Sequence, residues 1–231
     1  MLILAFDCSL QNCSVAILSS CLDDKSSDSD VLLVERSYKT LQLETLIPMV
    51  IGVILKDSGL TWSDIDLIGV TVGPGTFTGI RIGLAAARGI ALATKIPVVG
   101  ISTCEAIANG VPQKERLNRT LLVAIDSKRV NKILVQVFTS DLIPLGQPSE
   151  MESTKISENF YEGSPLLLAG NATEQLLLTA PSNTFIATMS TFPSARIIAN
   201  MAINRHKYVS TIFPPEPIYI QLPNVTLHRK K

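Results

Sequence analysis

Apolar positions along this chain switch between short β-type runs and long helix-type stretches, and that alternation predicts an α/β fold. LILAF (2–6) and SVAIL (14–18) flank the polar turn CSLQN and read as a hairpin. VLLVERSY (31–38) reads as a third strand, after the Ser/Asp-rich loop SSCLDDKSSDSD. In LETLIPMVIGVILKDSG the period becomes helical over 44–57, with Pro48 tolerable near the first turn and Gly59 as the stop. A strand at about 67–72, the breaker GPG and a helix over 77–94 follow. KIPVVGIS is then a strand entering a helical turn at Ser102 and Thr103.

The segment Gly110–Arg119, with Pro112 and four charges, marks a boundary between a lobe at 1–109 and a second at 110–231. Beyond it the opening pattern repeats. LILAFDCSLQNCSVAIL and LLVAIDSKRVNKILVQVF each place an Asp after an apolar strand, then a short turn and a second strand, which predicts an internal duplication. SPLLLAG (164–170) and TFIAT (184–188) read as strands, and PSARIIANMAINRHK (193–207) as a helix that completes a shorter second lobe. PPEPIYIQLPN is Pro-punctuated and extended.

Both long helices lack an ordinary polar face. From Leu46 through Met49, Val50, Val53 and Ile54 to Leu55 there is no polar side chain, so the helix needs cover on two sides. In the helix at 77–94, Arg81, Arg88 and Lys95 recur every seven residues and align in one narrow stripe. Gly79, Gly83, Ala86 and Ala93 form a small-residue seam beside it, and Ile80, Leu84, Ala87 and Ala91 an apolar one. Composition sharpens this reading: of 231 residues 46% are hydrophobic and only 17% charged, against a typical share of roughly 25%, and the mean hydropathy is +0.32. Part of the surface is therefore expected to lie under a partner, through a helical interface.

Charge excludes a global nucleic-acid field, since Lys plus Arg equals Asp plus Glu at 20 each. The basic end His228–Lys231 reads either as a solvated terminus or as an RNA contact. The start has no basic region, and Asp7 breaks its apolar run, so it reads as a strand and not a signal peptide. Three cations within 79–101 argue against a membrane span. Cys8, Cys13, Cys21 and Cys104 lack zinc-site spacing and are too sparse for a disulfide scaffold, which fits a reducing cytoplasm.

Candidate chemistry is thin. The glycine loop fails the Walker pattern because Ile80 and Arg81 follow Gly79, and it fails the dinucleotide pattern at Thr78. Thr76 or Thr78 can cap the helix behind it, leaving the loop either as a weak anion cradle or as a plain strand-to-helix turn. The two histidines, His206 and His228, form no metal cluster, and no catalytic Ser or His motif occurs. Asp7 and Asp126 sit at strand ends, where a carboxylate either serves a metal-phosphate or water, or caps the next turn.

Three blocks, AFDCSLQNCSVAI, GPGTFTGIRIGLAAARGIALA and IPVVGISTCEAIA, resemble the bacterial TsaB (YeaZ) family. The match is dense over 1–108 and thins afterwards to AIDSK and PIYI. The resemblance implies a two-lobed actin-like ATPase (ribonuclease H-like) fold with a degenerate, smaller second lobe. It also implies a non-catalytic paralogue of TsaD, the subunit that makes threonylcarbamoyladenosine next to the anticodon of tRNAs. The implied partners are a TsaD-like catalytic subunit, a TsaE-like ATPase, and a second copy when the chain is alone, with tRNA touched indirectly and no membrane. ATP and metal would belong to partner subunits. The implied interface comprises Leu46, Met49, Val50, Val53, Ile54, Thr76, Phe77, Ile80, Arg81, Leu84, Ala87 and Arg88, and Asp7, Ser9 and Asp126 would be the remnant of a nucleotide site. Several positions depart from the family pattern: Gln42 stands near the first helix, and Asp126-Ser127-Lys128 replaces an acidic and basic run. The adenosine loop is reduced to Leu168-Ala169-Gly170-Asn171. The competing reading is an actin-fold phosphotransferase or ATPase using Asp7 and Asp126.

Overall fold

The computed structural model describes residues 1–20, 31–39, 51–52, 55–156, 165–208 and 215–220. Its strands are β1 (Leu2–Asp7), β2 (Asn12–Ser19), β3 (Val31–Lys39), β4 (Leu67–Gly73) and β5 (Val98–Ser102) in one sheet. A second sheet holds β6 (Thr120–Arg129), β7 (Lys132–Phe138), β8 (Ser149–Glu152), β9 (Leu166–Ala169) and β10 (Thr184–Ile186). The first runs in the order β3-β2-β1-β4-β5 and the second in the order β8-β7-β6-β9-β10. Each therefore opens with an antiparallel three-strand meander and continues with two parallel strands, so the duplicated hairpin of the sequence is a duplicated five-stranded unit.

The helices are α1 (Phe77–Thr94), α2 (Thr103–Gly110), α3 (Gln113–Arg116), α4 (Thr173–Leu177) and α5 (Ala195–Tyr208). Four apolar clusters show how they layer. Ile80, Leu84 and Ala87 of α1 join Ile51 and Leu55 on the face of the first sheet carrying Phe6, Val70 and Val72. Ile198, Ala199 and Ala202 of α5 cover its other face, against Ile3, Ala5 and Ile101. Cys104, Ile107 and Ala108 of α2 pack on the second sheet, whose far face is covered by Leu176 of α4.

The helix at 195–208 thus differs from its expected place: it covers the first sheet instead of completing the second lobe. The small side chains of α5 explain this, because β4 presents Gly69, and a Cβ there would stand 3.1 Å from Ala202 Cβ and 3.2 Å from Ile198 Cγ2. In exchange, α2, which follows β5 of the first sheet, covers the second. Among the described residues, the helix after β9, α4, is 5 residues long against 18 in α1 after β4.

Three elements differ from the sequence reading. β8 (SEME) is a charged edge strand, tied to β7 and its turn by Lys132–Glu152 at 3.3 Å and Arg129–Glu150 at 3.7 Å. The short α3 lies within the expected boundary segment. Of the helix expected at 44–57, residues 51–52 and 55–58 are helical, and Leu46, Met49, Val50, Val53 and Ile54 lie outside the described residues.

Candidate functional site

β1 ends at Asp7, which is fully buried. Its Oδ1 accepts from Ser9 N at 3.0 Å, Ser9 Oγ at 2.6 Å and Thr71 Oγ1 at 2.6 Å. Its Oδ2 is buried with no hydrogen-bond partner among the described residues. Burial raises the Asp7 carboxyl above its ordinary value, against the pull of those three donors.

The polar groups of Ser9 are already engaged within the chain. The N–H and hydroxyl of Ser9 already donate to Asp7, and its carbonyl accepts from Thr76 N at 2.7 Å and Thr76 Oγ1 at 3.2 Å. Gly75 lies so close to Ser9 that any Cβ there would overlap the Ser9 carbonyl. Leu10, at the tip of the same turn, is buried in the core of the second sheet. The first hairpin turn is thus closed by the chain's own loop.

The equivalent turn of the second sheet is arranged differently. Asp126 accepts from Lys128 N at 2.8 Å and Lys128 Nζ at 2.6 Å, and its N–H donates to Asn171 Oδ1 at 3.0 Å. Partial burial would raise its carboxyl, but the Lys128 contacts prevail and hold it below the ordinary range. Asp7 and Ser9 are therefore brought together in one network, while Asp126 belongs to a separate one. No group of three or more His, Cys, Asp or Glu able to hold a metal occurs among the described residues.

The network at Asp7 continues into α1. Thr76, not Thr78, is the N-cap, its hydroxyl accepting from Gly79 N at 3.3 Å. Gly79 and Gly83 face inward: Gly79 rests on the Cys8 carbonyl, and a Cβ on Gly83 would meet Val70 Cγ2 at 3.6 Å and Cys8 at 3.8 Å. The expected small-residue seam is thus turned at these two positions toward the chain's own sheet. Ile80, Leu84 and Ala87 are likewise buried in the first core, which gives them no outward face. The outward side carries Thr78, Ala85, Gly89 and Leu92, with Phe77, Arg81 and Arg88 along one edge. Leu92 is 74% exposed and Phe77 44%.

The segment 215–220 crosses this edge, a contact the sequence reading missed. Ile218 N donates to Val72 O at 2.7 Å, Arg81 Nε to Tyr219 OH at 3.0 Å and Arg88 Nη2 to the Pro215 carbonyl at 2.6 Å. The Arg81 guanidinium lies 3.6 Å from the Phe77 ring centroid and 5.8 Å from that of Tyr219. The lengths agree: seven helical residues rise about 10.5 Å, and four extended residues span about 12 Å. The stretch from Pro215 to Tyr219 therefore matches the stretch from Arg81 to Arg88.

Two five-stranded units of the same order, with a helix exchanged between them, define a two-lobed actin-like (ribonuclease H-like) α/β protein. The chain is similar over 95% of its length to a Pseudomonas aeruginosa protein described as similar to peptidase YeaZ, with a TM-score of 0.70, 23% identity and 99% of that chain covered. YeaZ from the same organism matches with a TM-score of 0.68 and 23% identity, over 94% and 99% of the two chains. In sequence it is 36% identical over 128 residues to the tRNA threonylcarbamoyladenosine biosynthesis protein TsaB of Escherichia coli (strain K12), which covers 55% of this chain and 51% of that protein. The Haemophilus influenzae protein of the same description is 33% identical over 131 residues, 57% and 51% of the two chains. The chain thus spans about half the length of the curated relatives it matches. A family model described as TsaD, tRNA N6-adenosine threonylcarbamoyltransferase, matches residues 41–147. These likenesses are to proteins described as TsaB or YeaZ and, over residues 41–147, to the TsaD family model. No helix of the described residues is long and apolar enough to cross a membrane.

Proposed function

We propose that this chain is a non-catalytic subunit in tRNA threonylcarbamoyladenosine biosynthesis, docking the TsaD catalytic subunit through the outward face of α1 and positioning it in a cytoplasmic complex with a TsaE-like ATPase. The observation that carries the reading is the outward side of α1, where Leu92 stands 74% exposed beside Ala85 and Gly89 with no acidic residue on the helix. An isolated surface helix of this length would present a polar outer face. The closed turn around Asp7 and Ser9 supports a chain that holds no nucleotide of its own, with ATP and metal on partner subunits. The actin-fold phosphotransferase reading requires Asp7 to face a phosphate, and its burial and bonding speak against that.

Of the expected interface set, Thr76, Phe77, Arg81 and Arg88 stay on or beside the exposed face of α1, and Leu92 is added to them. The test is co-purification with the TsaD of the same organism, followed by titration of the two purified proteins. A stoichiometric complex that Leu92→Glu weakens supports the reading. Absence of any complex with the wild-type chain removes it.

A further inference from the structure

The two arginines of α1 are held but not neutralised. Arg81 donates to a phenol oxygen, and Arg88 donates to a backbone carbonyl. Both acceptors are uncharged, so the contacts fix the direction of each guanidinium and leave its charge in place. Neither Arg81, Arg88 nor Lys95 makes a salt bridge among the described residues. The one carboxylate of the described strap, Glu216, makes none either, and α1 itself contains no Asp or Glu. Beside these charges stand the exposed apolar groups Phe77, Tyr219 and Leu92.

The strap is built into this surface. Ile218 packs in the core of the first sheet and Ile220 against that of the second. Gly73 and Gly100 make room for it, since a Cβ on Gly73 would lie 2.7 Å from Ile218 O and one on Gly100 2.8 Å from Pro215 Cβ. Anchored at both cores, the strap orders two long side chains before any partner arrives, which lowers the cost of binding.

We propose that α1 and the strap 215–220 form one composite docking surface, in which Tyr219 and the Pro215 carbonyl aim Arg81 and Arg88 at carboxylates on an apolar element of a protein partner. This rests on the reading that the chain docks TsaD through α1, and it adds the chemistry of the facing surface: apolar, with Asp or Glu opposite the two arginines. A second copy of the chain is the disfavoured occupant, because pairing two such faces sets cations against cations.

The test titrates the full chain against the TsaD of the same organism at about 50 mM and about 500 mM salt, where the screening length falls severalfold. The double variant Arg81→Gln/Arg88→Gln is expected to bind about tenfold more weakly at low salt, with the gap closing at high salt. Arg81→Lys/Arg88→Lys keeps the charge and is expected to keep most of the salt-dependent affinity. Equal binding by the glutamine variant at both salts overturns the proposal while leaving the function reading intact, as does an equal loss in the lysine variant. Self-association of the wild-type chain tighter than its TsaD binding also overturns it. If the glutamine variant does not fold, wild-type affinity that is unchanged by salt overturns it as well. A wild-type chain that does not bind TsaD at all removes the function reading and this proposal together.

Discussion

Gly79→Ala is the sharpest probe of how α1 is seated. A Cβ at this position would overlap the Cys8 carbonyl oxygen, stand 2.6 Å from Thr76 Oγ1 and lie 3.1 Å from the Cys8 carbonyl carbon. Cys8 follows directly on β1, so its backbone cannot give way like the end of a flexible side chain. Either the helix lifts off the sheet or the Thr76 cap opens, and overpacking of this kind costs about 1–3 kcal/mol. Alanine recovers about 0.8–1 kcal/mol of helix propensity. With the contact this close, a net loss of about 2 kcal/mol is expected, or about 4–8 °C in Tm for a chain of this size. Gly89→Ala is the internal control, because a Cβ there meets nothing within 4 Å. It should gain about 0.5–1 kcal/mol from the same propensity. Urea titrations of both variants, read as midpoint shifts at unchanged slope, separate the two signs. A Gly79→Ala protein as stable as wild type, or both variants shifting the same way, would refute the seating of α1 on β1.

Three further outcomes follow from the same geometry. Burial raises the Asp7 carboxyl above its ordinary 3.8, so its contribution to stability is complete below that value and is lost as pH rises through the folded value. Asp7→Asn removes this dependence, and unfolding curves from pH 4 to 7 should show the variant gaining on wild type as pH rises; parallel curves would contradict the assignment. Leu84→Glu buries a charge in the first core and should prevent folding, whereas Leu92→Glu on the exposed side should fold with wild-type circular dichroism and lose TsaD binding. If Leu84→Glu folds normally, the inward placement of that residue is wrong. Cys8, Cys13 and Cys104 are buried, with the Cys8 thiol pushed up first by its contact with Cys13 and the Cys104 thiol first by burial. In a Cys21→Ser background a thiol reagent should react no faster than the protein unfolds, and rapid labelling under native conditions would count against this core.

Local pattern made much of the fold legible. The helix over 77–94 was bounded by the GPG breaker before it; Lys95, read from its spacing as the third cation of the stripe, instead caps the helix at φ 65° and lies outside it. The repeated hairpin was visible because its two Asp residues end matching apolar runs, and both ladders confirm the pairing. Which sheet α5 covers was not legible, since its apolar period is satisfied by any complementary face. Only the pairing of Ala202 with Gly69 across more than a hundred residues decides it. On α1 the sequence offered two small or apolar seams on a helix with little polar content, and periodicity could not tell inward from outward. The approach of Gly79 to Cys8 breaks that tie. β8 was hidden because it is four residues long with one apolar side chain: the ladder to β7 and Met151 against the second core hold it. The strap over Arg81 and Arg88 is a contact 127–138 residues apart in the chain, beyond the reach of local pattern.

The central claim, that this chain supports tRNA modification by docking TsaD and performs no chemistry itself, is tested most directly by reconstitution. Purified TsaD, the TsaE-like ATPase and a threonylcarbamoyl donor are combined with tRNA, and modified adenosine is quantified with and without this chain. The account predicts that modification depends on the chain, that the Leu92→Glu chain fails to restore it, and that the chain alone hydrolyses no ATP. Full modification in its absence, or ATP turnover by the isolated chain that Asp7→Asn removes, would contradict it.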